Sequence, residues 1–261
     1  MVDFVEALTR GWEKVGELAP LMVVPLVLTL LSVDNLRKVV AFSGFHIGVK
    51  FVFPEDVPTL WSFVSPPPSA GSGVSAVGLV LMLVGAIVGA FLSAGYLGSI
   101  RDRLSGRETD FMSNGERFFL DFLWFKLLLL VIGVTLIFTG MLLSALIVLA
   151  LPLLLFVFYL IYGVPYLIVS QNMSFGEAFE RSVEMALKGG DYLGYGLKYL
   201  AFVALVSVPM TVVVVNFGLV GLLAGIAVSP VLALVLSTAT MIFFLEKTST
   251  SKLPLPFEEL N

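Results

Sequence analysis

The residue types that carry most enzyme chemistry are scarce in this sequence. Cysteine is absent from the 261 residues and His46 is the only histidine, which excludes thiol nucleophiles, thiolate metal sites and metal sites built from several histidines. His46 falls in a predicted loop, where a surface or packing role explains it more simply than ligand binding. The carboxylates lie in mixed charge clusters, which give no reason to expect the raised pKa of a catalytic acid. We therefore expect no catalytic residue, no cofactor, no metal site and no enzyme.

Three arginines lie close together, at Arg101, Arg103 and Arg107. Next to a membrane they could contact anionic lipid headgroups. They could equally be a positive anchor balanced by the neighbouring acids. No basic patch with interleaved aromatic residues is present, so we expect no nucleic-acid partner.

Two later segments share the pattern Leu-Val-Gly-x3-Gly-x3-Ser. Small residues four apart form a groove along one helix face, which lets a second backbone approach closely in a membrane. We predict helix packing, within the bundle or across a dimer interface, through Gly85, Gly89, Ser93, Gly221, Gly225 and Ser229. Within a bundle, we expect the two helices to touch near Gly89 and Gly225.

The elements that carry these residues are predicted from composition. The chain is 58% apolar and only 13% charged, about half the charged share of soluble domains, and its mean hydropathy is +1.02. A helix needs roughly 20 apolar residues to cross ~30 Å of hydrocarbon. Four stretches contain no Asp, Glu, Lys or Arg, namely 18–33, 57–100, 127–176 and 199–245. We therefore predict an all-α, polytopic membrane protein.

We expect a single transmembrane domain, 1–247, with six helices that form three hairpins, followed by a cytoplasmic tail, 248–261. The division between the third and fourth helices is predicted near Gly140 or at Ala150-Leu-Pro152, with a kink at Pro152 or Pro165. The predicted helices are 18–35, 74–100, 122–143, 146–169, 194–215 and 218–245.

The distribution of Lys and Arg predicts the orientation. Twelve lie in the amino-terminal segment, the 101–126 and 171–198 connections and the tail, whereas three lie in the 36–73 loop. The positive-inside rule then places both termini in the cytoplasm and the protein in the cell membrane.

The 36–73 loop is the one long segment predicted outside the membrane. Residues Phe45–Phe53 have the β-branched and aromatic content of a short strand or hairpin arm. We expect the loop to cap the outer surface of the bundle, and a ligand-binding role is the alternative.

A possible internal repeat precedes the first, third and fifth helices. The second and third copies share Met-Ser-x-Gly-Glu, with Ser113 or Ser174 as the helix cap and Glu116 or Glu177 as its capping-box partner. The pattern predicts amphipathic helices in the cytoplasmic headgroup plane, each leading into a hairpin. Coincidence among helices that enter a membrane is the alternative.

No ionisable side chain is predicted inside a span. Lys126 is expected to reach the nearby interface. Hydroxyl residues within spans, such as Thr29, Ser207 and Thr211, are expected to bond to their own helix backbone. These expectations argue against an ion-coupled transporter.

The order of features resembles six-helix membrane proteins of unknown function. They include the YciC-like proteins and the membrane domain of some glycerophosphoryl diester phosphodiesterases. The similar segments are Gly95-Tyr-Leu-Gly98, followed by Arg101 and Gly106, and Pro165–Ser170, followed by Gly176–Ser182. The 36–73 loop looks like an insertion, and no part of the chain resembles the phosphodiesterase catalytic barrel, so the resemblance implies no hydrolase activity.

The sequence favours a non-enzymatic membrane protein that binds lipid or a membrane partner, either another protein or a second copy of itself. The alternative is an uncoupled transporter or channel for a small or apolar solute.

Overall fold

The computed structural model describes residues 3–68, 76–142 and 147–250. These residues form helices and no strand. The helices are α1 (Phe4–Glu13), α2 (Val15–Leu18), a 3-10 helix (Ala19–Met22), α3 (Val23–Leu31), α4 (Val33–Val40), α5 (Leu60–Phe63), α6 (Ala76–Leu104), α7 (Phe111–Leu142), α8 (Ile147–Ile161), α9 (Val164–Gln171), α10 (Phe175–Lys188), α11 (Asp191–Asn216) and α12 (Gly218–Thr250).

Five segments of the described chain are long and apolar enough to span a membrane. A sixth is possible if Phe4–Glu13 and Val15–Leu31, which are bent by 61° relative to each other, count as one. These lengths and compositions are those of a multi-pass membrane protein. The five are Val80–Leu104, Phe111–Leu136, Pro152–Gln171, Asp191–Asn216 and Gly218–Lys247.

The connections between the long helices lie close to the predicted ones. Helix α7 continues through Gly140 to Leu142, α8 begins at Ile147, and residues 143–146 lie outside the described residues. In the fourth segment α8 ends at Ile161 and α9 begins at Val164, so the interruption lies just before Pro165, whereas Pro152 lies inside α8 without a break. The hairpin between α11 and α12 turns at Gly218, whose φ of +58° suits glycine.

Helix α1 lies across α11 and α12. A Cβ at Gly11 would approach the Val235 carbonyl oxygen to 2.7 Å, so only glycine allows this close crossing. The Phe4 ring packs edge-on against Tyr195, with ring centroids 5.4 Å apart. The first segment therefore bends at Lys14 and rests on the last two helices.

The core is unusually rich in tyrosine. All seven tyrosines of the chain are buried, in α6, α8, α9, α11 and the break after α8. Tyr162 stacks on Tyr192 with ring centroids 4.2 Å apart, and its hydroxyl donates to the Tyr192 carbonyl at 2.6 Å. These contacts join the break between α8 and α9 to α11.

The two predicted helix caps have different outcomes. Ser174 and Glu177 form the predicted capping box at the start of α10. Ser113, in contrast, lies inside α7, which begins at Phe111 and is capped by Asp110 through the backbone N–H groups of Met112 and Ser113 at 3.0 and 3.2 Å. The prediction of a Ser113 cap is wrong, because an acid three residues earlier already accepts these N–H groups.

A candidate ligand cavity beside a re-entrant segment

After α4, the chain runs in an extended conformation along α11, from the C-terminal end of that helix toward its N-terminal end. The backbone N–H of His46 donates to Asn216 Oδ1 at 2.7 Å, at the very end of α11. The N–H of Lys50 donates to Ser207 Oγ at 2.9 Å, about 13 Å further along the helix axis. The Phe53 ring then lies 3.3 Å from the Cβ position of Gly196, so the segment follows most of the length of α11.

The chain turns back beyond Phe53. The Phe53 ring stacks on the Tyr162 ring with their centroids 5.9 Å apart. The Glu55 carbonyl accepts a hydrogen bond from the Tyr166 hydroxyl at 2.7 Å. The return path passes α11 again, where the N–H of Ser65 donates to Thr211 Oγ1 at 2.9 Å. We refer to residues 45–65, which enter and leave at the same end, as the re-entrant segment.

Helix α3 also holds the returning chain. The Thr29 hydroxyl accepts from the N–H of Leu60 at 3.1 Å, and its carbonyl accepts from Trp61 Nε1 at 3.0 Å. Thr29 and Ser207 make the expected bonds to their own helices, and together with Thr211 they also accept hydrogen bonds from the loop. Extended backbone without a partner strand needs such groups wherever water is absent.

The prediction that this loop caps the outer surface is therefore wrong. Residues Phe53 and Pro54 and most of 56–64 are buried between the helices. The predicted strand character is present only as alternation. Phe45, Ile47, Val49 and Phe51 are exposed, whereas the backbone N–H groups of His46 and Lys50 bond to α11. The segment is extended but pairs with helix side chains instead of a second strand.

An ion pair lies at the turn of the re-entrant segment. Lys126 Nζ of α7 is 2.6 Å from Asp56 Oδ2, and the exposed fractions of these side chains are 20% and 7%. Lys126 was expected to extend its ammonium toward the nearby interface, but the ammonium instead binds a carboxylate of the loop. A charge pair therefore lies beside helices that were expected to carry none. A neutralising partner supplied by the loop makes this burial tolerable.

A cavity of about 580 Å³ opens beside this ion pair. Its walls come from the re-entrant segment, α3, α5, α6, α7 and α8. Four charged residues line it: Lys50, Glu55, Asp56 and Lys126. Six aromatic residues line it as well: Phe51, Phe53, Trp61, Phe125, Phe158 and Tyr162.

The mouth of the cavity is apolar. Phe51 and Leu155 are 57% and 38% exposed at its rim, and Gly85 is exposed on α6. Such residues on the outer face of spanning helices meet lipid chains. The cavity therefore has an apolar opening and a charged interior.

The predicted small-residue rows contact different neighbours. A Cβ at Gly85 would meet no atom within 4 Å, and one at Gly89 would meet only Lys126 Cε, at 3.8 Å. At Gly225 it would lie 2.4 Å from Val214 Cγ2 of α11 and 3.1 Å from Leu60 Cδ1 of α5. Gly89 and Gly225 therefore do not contact each other, and the prediction that the two helices touch at these glycines is wrong.

The remaining members of the two rows are buried. A Cβ at Gly221 would fall 2.0 Å from the Val213 carbonyl oxygen, which makes the α11–α12 hairpin dependent on glycine. Ser93 is completely buried and Ser229 is 1% exposed. The first row thus borders the cavity, and the second packs against α11 and α5.

The three arginines separate into two kinds. The Arg101 side chain is only 8% exposed and donates to Asp102 Oδ1 at 2.6 Å and to the Val169 carbonyl at 3.1 Å. Asn114 Nδ2 completes this network by donating to Asp102 Oδ2 at 2.7 Å. Arg103 and Arg107 are exposed, so they alone remain available for a lipid headgroup.

Sequence reasoning missed the ion pair, the cavity and the Arg101 network. One signal was present, because Glu55 and Asp56 stand between Pro54 and Pro58 in an otherwise uncharged stretch. His46 is placed as a packing residue, with its ring Nε2 3.0 Å from the Ser65 carbonyl oxygen.

Outside this cavity, the described residues offer little for binding a polar ligand or a metal. A smaller groove of about 290 Å³ lies beneath α1 and has no charged residue in its lining. Within the described part of the chain, no three His, Asp or Glu residues converge as a metal site would require. No protein-family model, curated protein or solved structure matches this chain, so the resemblance to the YciC-like proteins stays a prediction.

Proposed function

We propose that this membrane protein binds a lipid, or another amphiphile of similar size, in the cavity beside the re-entrant segment. The observation that carries the proposal is the combination of an apolar, exposed mouth with a charged interior. Ligand cavities are commonly 300–1,000 Å³, and about 580 Å³ accommodates a headgroup with the first part of its chains. The rest of the chains would remain among the bilayer lipids.

The proposal includes how the protein sits in the membrane. The helices form hairpins of one orientation, with both termini in the cytoplasm and with α1 and α10 in the headgroup plane of the cell membrane. Helix α10 supports this placement because Ala178, Ser182 and Met185 are buried while Glu180 and Glu184 are exposed. Setting aside Lys50 and Lys126, which line the cavity, leaves eleven Lys and Arg on the cytoplasmic side and two outside.

Filling the cavity tests the proposal. Gly85 lines the cavity and faces open space, so Gly85→Leu extends a side chain into it without a backbone clash. We expect the purified variant to lose most of the lipid that the unchanged protein retains, as counted by native mass spectrometry.

Gly133→Leu is the matched control. Gly133 also faces open space on a long helix, α7, but it does not line the cavity. Its lipid content should equal that of the unchanged protein. Equal retention by both variants would show that lipid binds elsewhere, and the proposal would be abandoned.

A second candidate function is an uncoupled transporter or channel for a small or apolar solute. Within the described residues, the backbone N–H groups of Val49 and Phe51 have no protein acceptor. Irregular backbone among spanning helices is tolerated where it lines a hydrated cavity, which favours water and a solute path at this point. Glycerol flux into proteoliposomes that Gly85→Leu blocks and Gly133→Leu does not would support it, and no flux would exclude it.

A further inference from the structure

We infer that the cavity recognises a zwitterionic phospholipid headgroup, with the ammonium near Glu55 and the phosphate near Lys50. The inference rests on the proposed function and names the ligand class of the same cavity. It follows from the two charged residues, Lys50 and Glu55, that form no ion pair within the cavity lining.

Two of the four charges neutralise each other. Asp56 and Lys126 are 2.6 Å apart and leave no net charge for a ligand. The Lys50 ammonium, in contrast, has no carboxylate within 4 Å among the described residues. An ammonium on a flexible stem is a common ligand for phosphate.

Glu55 supplies the opposite charge. One of its carboxylate oxygens accepts a hydrogen bond from the Ser62 hydroxyl, and no lysine or arginine lies within salt-bridge distance of it in the described chain. A ligand that brought only a phosphate would leave this carboxylate without a counter-charge. A ligand with both charges matches Lys50 and Glu55 together.

The aromatic lining favours an ammonium in particular. The rings of Phe51 and Trp61 line the same cavity as Glu55, whereas those of Phe53 and Tyr162 are stacked on each other. Ammonium groups bind over aromatic faces by cation–π attraction, which is strongest where water is excluded. An anionic or uncharged headgroup gains nothing from these faces, so the lining discriminates between lipid classes.

Lipid competition on the full-length protein in mixed micelles tests the inference. Phosphatidylcholine should bind about tenfold more tightly than phosphatidylglycerol or diacylglycerol, the scale of one charge-assisted contact. Glu55→Gln, which can still accept from Ser62, should remove the preference for phosphatidylcholine over phosphatidylglycerol. Lys50→Gln should weaken both phospholipids relative to diacylglycerol, whereas Lys38→Gln, which is outside the cavity and pairs with Asp34, should change nothing.

The outcomes separate this inference from the proposed function. If Gly85→Leu abolishes lipid binding but all three lipids bind equally, or Glu55→Gln keeps the preference, the headgroup assignment is overturned and lipid binding stands. If Gly85→Leu has no effect on any lipid, the proposed function fails and the inference fails with it. If water-soluble glycerophosphocholine binds as tightly as phosphatidylcholine, the zwitterion assignment is supported and the lipid source is overturned.

Discussion

Asp56 and Lys126 form an ion pair whose two side chains are largely removed from solvent. Neither residue has a local sequence signal for the other, since 70 positions separate them. Removing one partner from such a pair leaves an uncompensated charge, whereas removing both leaves none. The pair therefore makes the inward path of the re-entrant segment depend on α7.

We expect Lys126→Met to lower the free energy of unfolding by about 3–5 kcal/mol, because the Asp56 carboxylate then remains buried without a partner. The double variant Lys126→Met/Asp56→Asn should recover most of this loss. Thermal unfolding in detergent, arranged as a double-mutant cycle, measures both effects.

Lys188→Met is the control for this cycle. Its ammonium pairs with Glu184 at 2.5 Å, but the Lys188 side chain is 70% exposed, so the unfolding midpoint should not change. Additive losses in the Lys126 and Asp56 variants would contradict the ion pair.

Helix α10 is the element whose start is best explained by local sequence. The Ser174 N–H donates to Glu177 Oε2 at 2.9 Å, and the Ser174 hydroxyl donates to the same oxygen at 2.7 Å. The hydrogen bond from the Ser174 hydroxyl is the main reason that the pKa of Glu177 is lowered from its ordinary value. The same five-residue pattern at Ser113 makes no cap, because α7 starts two residues earlier.

We expect Ser174→Ala to destabilise the protein by about 1 kcal/mol, and Ser113→Ala, the matched twin, to have no effect on thermal stability. A carboxylate with a lowered pKa stabilises the fold above its ordinary pKa, and this contribution is lost as the pH falls through the lowered value. In Ser174→Ala the pKa of Glu177 should rise toward its ordinary value. The midpoint should then depend less on pH between about pH 5 and pH 3.

A loss in Ser113→Ala equal to that in Ser174→Ala would show that the two segments are structural repeats after all. We expect the two variants to differ, because Asp110 already accepts hydrogen bonds from the N–H groups of Met112 and Ser113.

At the scale of the whole molecule, the two ends of the helical bundle carry different groups. Arg103, Arg107 and α10 lie at one end, and the α11–α12 turn lies at the other. The chain contains no cysteine, so a single introduced cysteine reports on one position without background.

We expect a membrane-impermeant maleimide to label Phe217→Cys in intact cells, because Phe217 is exposed at the end proposed to face outward. Ser105→Cys, which is also exposed, should be labelled only after the membrane is permeabilised. The reverse labelling pattern would show that the proposed orientation is inverted. Labelling of both cysteine variants in intact cells would contradict a bundle that spans the membrane. The unchanged chain, with no thiol, is the control.

The sequence by itself determined the helical membrane class, the approximate positions of the long helices, the α11–α12 turn and the Ser174 cap. These features follow from local quantities: apolar length, charge-free runs and side chains that bond within four residues. The separation of Arg101 from Arg103 and Arg107 was not predictable in this way, because it depends on Asp102 and Asn114 meeting the end of α9.

Only the tertiary structure decided the path of residues 45–65 and the existence of the cavity. An apolar loop can rest on a bundle or enter it, and the free energy of entry depends on whether distant hydroxyls and charges meet its backbone and acids. Here Thr29, Ser207 and Thr211 accept its N–H groups, and Lys126 neutralises Asp56. None of these partners is near the loop in sequence, so no local pattern could specify them.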